Sequence, residues 1–192
     1  MSKSTNKISD KITNKIISEI SNFEIVEPSN KLSQEDTLQW LKASHVRSSP
    51  EQERIIDVLI KKYAVKPTQI ATRFFELDDV LNQNWDSMKV YNITGTGQDI
   101  GVRNEIFLEK SEKVFAKFYP AQSLAPDHII HVTCTGYISP SAPQKLVTQK
   151  NWSPATGITH AYHMGCYASL PAVRLAQGLV AARSAVEQTS KI

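Results

Sequence analysis

The order of residues between Ile158 and Val186 constrains this chain more than any other feature. Ile158-Thr159-His160-Ala161-Tyr162-His163-Met164 reads as a short strand, Gly165-Cys166 as a tight turn, and about Leu170 to Val186 as a helix. Ala172, Ala176, Ala181, Ala182 and Ala185 keep that helix slim, which suits close packing inside a layered structure. Pro171 lacks the N–H that a helix interior needs, so it belongs in the first turn and leaves Cys166 just ahead of it. Upstream, Asp127 to Cys134 is a β-branched run suited to a buried strand and stopped by Gly136.

The rest of the chain supplies helices and connections around these two strands. Ser33-Gln34-Glu35-Asp36 places an N-cap and acidic first-turn residues before a helix through Leu38 and Leu41. Pro50 to Tyr63 repeats the pattern, with Ile55, Ile56, Leu59, Ile60 and Tyr63 along one side and Lys61 and Lys62 at the C-terminal dipole end. Arg103 to Phe118 carries Ile106, Val114, Phe115 and Phe118 on a helical face that Pro120 ends. Asn22 to Val26 alternates like a strand and is stopped by Pro28. Ser139 to Pro143 and Lys150 to Gly157 read as loops, and Tyr91 to Gly97 as a loop whose two glycines fall short of a phosphate cradle.

Residues 1–20 stand apart as an N-terminal extension, with 21–192 as the folded domain. Ile8, Ile12, Ile16 and Ile20 fall four apart beside a row of Lys3, Lys7, Lys11 and Lys15, a short amphipathic helix with a narrow apolar stripe. It reads as a lead helix packed on its own domain or left in solvent, with docking to a partner protein as the alternative. Without aromatic anchors it is poorly suited to a membrane surface.

Composition bounds the class. In 192 residues, 41% hydrophobic and 21% charged, there is enough apolar material for one sizeable core, and no apolar run approaches the ~18 residues of a membrane span. The N-terminus lacks the apolar stretch and cleavage site of a secretory signal, which leads to the expectation of a cytoplasmic protein. A net charge of +3, from 22 basic and 19 acidic groups without a dense basic block, excludes nucleic acid as an expected partner. A phosphorylated small ligand stays compatible.

Two cysteines carry the candidate chemistry. At the mouth of a helix, Cys166 meets unpaired backbone N–H groups and the positive dipole end. These favour a thiolate and can hold the oxyanion of an acyl-thioester reaction, and Gly165 leaves room for the turn. The plainer reading is a buried cysteine acting as a small hydrophobe, and for Cys134 a packed strand-end residue. His160 and His163 precede the thiol, but on one strand they face opposite ways, so at most one approaches it; a core or interface histidine is the ordinary role of each. A zinc site from Cys134, Cys166, His160 and His163 lacks paired ligand turns, so no metal is expected.

Tyr162-His163-Met164-Gly165-Cys166-Tyr167-Ala168, followed by Val173-Arg174-Leu175-Ala176, resembles the nucleophile segment of chalcone synthase-like, or type III, polyketide synthases. His131-Val132-Thr133-Cys134-Thr135-Gly136 is similar to the strand and Cys-Thr turn those condensing enzymes set beside the active site. Arg73-Phe74-Phe75-Glu76-Leu77-Asp78-Asp79 resembles their Arg-aromatic segment. The resemblance runs from about Phe23 to Val186.

It implies an α/β fold, the N-terminal half of a thiolase-like layered architecture with a mixed sheet and a buried nucleophile helix. It implies Cys166 as nucleophile, with Cys134, Thr135, Gly136, Gly165 and His163 around the pocket, and Lys61, Lys62 and Lys66 as weak candidates for coenzyme A contacts. Ser139 before Pro140 stands where plant members carry a Met, so a side chain reaching across a dimer would be smaller here.

No residue matches the family's catalytic His and Asn, which its second half supplies. The expectation is therefore a condensing-enzyme subunit or fragment with no permanently bound cofactor. It would load an acyl group from a coenzyme A or carrier-protein thioester onto Cys166 and perform a decarboxylative Claisen condensation with a malonyl-type extender. Its partner would be a complementary C-terminal half, with the assembled unit dimeric and an acyl carrier protein possible. Two alternatives belong to other classes: a non-catalytic scaffold subunit of a complete synthase, and a stand-alone thiol-dependent acyl hydrolase or transferase.

Overall fold

The computed structural model describes residues 18–91, 97–162 and 165–186. Two groups of elements, each built on a two-stranded sheet, make up the described chain.

In the first group, β1 (Asn30–Ser33) pairs antiparallel with β2 (Thr72–Phe75), Asn30 opposite Phe75 and Ser33 opposite Thr72. α1 (Gln34–Ser48) starts where its cap specifies, with the Ser33 hydroxyl accepting from the Asp36 N–H at 3.0 Å. A 3-10 turn at Pro50–Gln52 opens α2 (Glu53–Tyr63), which packs on α1. Trp40, Val80 and Met88 form the core here, flanked by Leu32, Phe75 and Trp85. Asp79, in the segment after β2, is buried, and its carboxylate accepts from the backbone N–H groups of Lys89, Val90 and Tyr91 at 2.8, 2.6 and 3.1 Å. A charge taken out of water is compensated there by three donors, which fastens the following loop to this core.

In the second group, α3 (Ile100–Phe118) leads into β3 (His128–Thr133), α4 (Ala142–Gln149), β4 (Gly157–Tyr162) and α5 (Ser169–Val186). β3 and β4 are parallel, in register from His128 opposite Gly157 to Thr133 opposite Tyr162. α3 packs on α4, and between these helices and one face of the pair lie Ile129, Leu146, Val147 and Trp152, with Phe115, Tyr119 and Ile158 against them. α5 contacts β3. A Lys110–Asp78 ion pair at 3.3 Å joins the two groups.

Several expectations are corrected. Asn22 to Pro28 forms no strand; the first strand follows the proline, and Phe23 and Ile25 are 83% and 88% exposed. Among the described residues, the strands form two separate pairs rather than one mixed sheet. The Ser139–Pro143 loop runs into a helix that the sequence reading missed: Ser141 caps α4 in a capping box with Gln144, and Pro143 sits in its first turn. The helix after Cys166, expected to be buried, is largely uncovered in the described chain. Up to Arg183, only Ala172 of α5 is buried, while Leu170 is 69% exposed. Its apolar residues run all round the axis, and β3 covers one side only. The Ile8–Ile16 stripe and the 92–96 part of the two-glycine loop lie outside the described residues. Among those described, no helix is long and apolar enough to cross a membrane.

Candidate functional site

Parallel pairing decides where the two cysteines lie. β3 and β4 run in the same direction and end opposite each other, so the chain leaves the sheet at one edge twice, through Cys134 directly after β3 and through Gly165-Cys166 shortly after β4. That carboxyl edge is where open α/β sheets place ligands. Both thiols are free and exposed, which corrects the reading of either as a packed core cysteine.

The first loop is held by its own backbone. The Thr133 hydroxyl donates to the Thr135 carbonyl at 2.6 Å and accepts from the Thr135 N–H at 3.2 Å, and the Tyr137 hydroxyl donates to the Cys134 carbonyl at 2.7 Å. Gly136 sits at φ +75°, and a Cβ there would stand 2.0 Å from the Phe107 ring. Only glycine satisfies both conditions, so α3 and the Cys134 loop fix each other's position.

Beyond β4, Gly165 at φ +72° makes the turn. The Ala168 N–H donates to the Gly165 carbonyl, then Leu170 to Tyr167 and Ala172 to Ala168, at 3.1, 3.0 and 3.1 Å. Cys166 rides on the first of these turns, three residues ahead of α5, and Ala168, 1% exposed, anchors it against the body of the protein. Pro171 is the third residue of the helix, in the first turn as expected.

Below this edge lies a histidine pair. His131 and His160 stand opposite each other in register, ring centroids 5.6 Å apart. His131 Nδ1 is 3.2 Å from the Tyr162 hydroxyl, and His160 Nε2 is 3.4 Å from the hydroxyl of Ser141, the α4 cap. Burial, with the neighbouring His160 second, pushes His131 down to about 4. Burial also lowers His160 and raises Tyr162. The pair is therefore a neutral polar core beneath the edge. The sequence reading weighed His160 and His163 against the thiol and overlooked His131. The signal for it was a histidine in each of two neighbouring strands, legible only once their register is known.

His163 lies outside the described residues. Lys61, Lys62 and Lys66 belong to the β1–β2 group rather than to the group that carries the cysteines. Lys61 pairs with Asp57 at 2.6 Å, Lys62 lies over the Tyr63 ring, and Lys66 follows α2 in a turn closed by Gln69. Among the described residues, no three His, Cys, Asp or Glu side chains gather as a metal-binding set.

No protein-family model and no curated protein matches this chain. Among solved structures it is similar to PKS-I from the brown alga Ectocarpus siliculosus, a type III polyketide synthase, with a TM-score of 0.61 at 20% identity. The match covers 81% of this chain but 42% of that one. Likeness at that identity carries architecture alone: the chain shares an α/β fold with that protein and spans somewhat under half of its length.

Proposed function

We propose that this chain is the nucleophile-bearing part of a condensing enzyme, with residues 21–192 as its thiolase-like unit and Cys166 as the acyl carrier. The observation that carries this reading is the position of Cys166. It is an exposed thiol on a glycine-led turn into a long helix, at the carboxyl edge it shares with Cys134, within a polyketide-synthase-like fold.

In the first step the Cys166 thiolate attacks the carbonyl carbon of an acyl thioester, and the coenzyme A or carrier-protein thiolate leaves. Acyl and thiolate exchange without any redox change. A malonyl-type thioester then loses carbon dioxide, and its α-carbon forms a bond to the Cys166-bound carbonyl as the Cys166 thiolate departs. Gly165, Gly136 and the Cys134–Thr135 loop shape the wall around that carbonyl, and His163 is assigned to the same wall. Backbone N–H groups of the helix mouth stabilise the oxyanion.

Enolate stabilisation needs a His and an Asn, which we assign to a complementary C-terminal half, the assembled unit being dimeric. The exposed apolar residues around the site, Tyr167, Leu170 and Leu175, support a covering partner of that kind.

Intact-mass measurement after incubation with acyl-coenzyme A thioesters tests the reading. One acyl adduct is expected, mapping to Cys166, lost in Cys166→Ala and kept in Cys134→Ala, with iodoacetamide alkylating Cys166 faster than Cys134 at neutral pH. Equal loading of a folded Cys166→Ala chain would overturn it.

A further inference from the structure

A cavity of about 480 Å³ lies between α1 and the β1–β2 pair, with Tyr63 and Ala64 from the end of α2 in its wall. That size is in the range of small-molecule pockets. The walls are largely apolar and include Leu32, Leu38, Trp40, Leu41 and Phe75. The Trp40 indole N–H is spent on the Asp79 and Asn82 carbonyls, both at 3.1 Å, so Trp40 offers the cavity apolar ring surface. A single charged side chain, Arg73, lines it.

Strand alternation puts Arg73 there, on the face of β2 that it shares with Phe75 and opposite Leu32 of β1. Gln34, the first residue of α1 and 1% exposed, clamps the guanidinium at Nε. Its side-chain carbonyl accepts from Arg73 Nε at 2.6 Å, and its amide donates to the Val65 carbonyl at 2.5 Å. The Gln34 backbone N–H is fixed as well, donating to the Ala71 carbonyl at 2.9 Å. The clamp uses the Nε donor alone, and the Nη groups of Arg73 have no protein partner among the described residues.

A guanidinium against apolar walls is costly to leave unpaired, and the buried carboxylate of the same core does not answer it, because Asp79 is engaged by the backbone N–H groups of Lys89, Val90 and Tyr91. The free Nη groups form a fork that matches the oxygens of a carboxylate. A phosphate, with nearly twice the charge, calls for a second cation, and no Lys, His or further Arg joins Arg73 in that wall. A second cavity of about 440 Å³, lined chiefly by Leu41, Ile56, Leu59 and Ile60, adjoins the first across Leu41, Tyr63 and Ala64. It gives an apolar tail room to extend between α1 and α2.

We propose that this cavity binds a small organic acid with a flexible apolar tail, its carboxylate paired with the Nη groups of Arg73 and its tail lying along Leu38, Trp40 and Leu41 toward the α1–α2 cavity. None of the walls comes from the group that carries Cys134 and Cys166. The ligand is the free acid, which has no thiol leaving group to yield to Cys166, so this is a second ligand site rather than a part of acyl loading.

Calorimetric titration of the full chain with octanoate, and with octanol as its uncharged match, tests this. One octanoate per chain is expected, bound at least ~10-fold more tightly than octanol, the size of one charge-assisted pair. Arg73→Gln should bring octanoate down to the affinity of octanol, and Arg73→Lys should keep part of the preference, since it retains the charge without the fork. Equal affinity of the wild-type chain for the two ligands overturns the proposal, a result that depends on no variant folding. Unchanged octanoate binding by a folded Arg73→Gln chain also overturns it. Loss of octanoate binding in Cys166→Ala overturns it too, by moving the acid to the condensing site. Octanoate binding that survives in a chain whose Cys166 takes no acyl group upholds this site while the condensing reading fails, so the two are separable.

Discussion

Helices α4 and α5 flank the same parallel strand pair and behave oppositely. α4 has eight residues and buries Ala142, Pro143, Leu146 and Val147; α5 has eighteen and, as far as Arg183, buries Ala172 alone. Yet α5 is the more apolar of the two by sequence. Burial follows from what an element meets. The α4 stripe meets α3, β3 and Trp152, whereas α5 meets β3 on one side. The helix that leads away from Cys166 is covered along β3 and exposed at Leu170 and Leu175, as a helix with a place reserved for a partner would be.

The sharpest way to break this contrast is to empty the covered side. Trp152→Ala removes a side chain shared by the α4 core and the Tyr119 ring, and should cost about 3–5 kcal/mol in urea unfolding. A loss below about 1 kcal/mol would mean that the α4 side is as loosely covered as α5.

Acid probes the same side next. His131 sits near 4 in the fold and about 6.5 unfolded, so the unfolded chain binds the extra proton between those values. Stability should be flat above about pH 7 and fall as pH drops from 6.5 to 4, by roughly 3 kcal/mol in total at 1.36 kcal/mol per unit shift. His160 and His128, both lowered by burial, act in the same direction. His131→Gln should flatten much of that slope; an unchanged slope would place the acid sensitivity elsewhere.

A smaller loss, about 1 kcal/mol, is expected of Ser141→Ala, which removes half of the α4 capping box and the hydroxyl beside His160. Thermal melts of this variant and of Ser141→Thr separate the cap from simple packing, since the threonine should retain most of it. The smallest effect belongs to α5: Leu170→Ser with Leu175→Ser should change the stability of the isolated chain by no more than about 0.5 kcal/mol. The same pair should weaken capture of a complementary half measured by titration. A destabilisation of 2 kcal/mol or more would show that α5 is covered by the chain itself.

Much of the local structure was legible beforehand because its causes are local. Ser33 with its acidic followers starts α1, Pro50 opens the turn into α2, and a β-branched run makes β3. α4 escaped because Ser141, Ala142 and Pro143 look like loop residues until the cap at Ser141 is recognised. Asn22 to Val26 reads as a strand, but a strand is completed by a neighbouring edge, and the described chain leaves these residues unpaired. Of the site, the Gly165-Cys166 turn and the need for Gly136 were readable as turn chemistry. That Gly136 is pressed against Phe107 of a helix some thirty residues away was not.

The sequence by itself determined the elements whose start and stop signals lie within a few residues: the caps, the prolines, the two strands and the glycine turns after them. Only the tertiary structure decided that β3 and β4 pair in parallel with His131 opposite His160, that Cys134 and Cys166 leave the same sheet edge, and that α4 is covered while α5 is not. Strand pairing and helix burial are set by surfaces brought together across long stretches of chain, and residue spacing along a single segment carries no record of which surface will meet it.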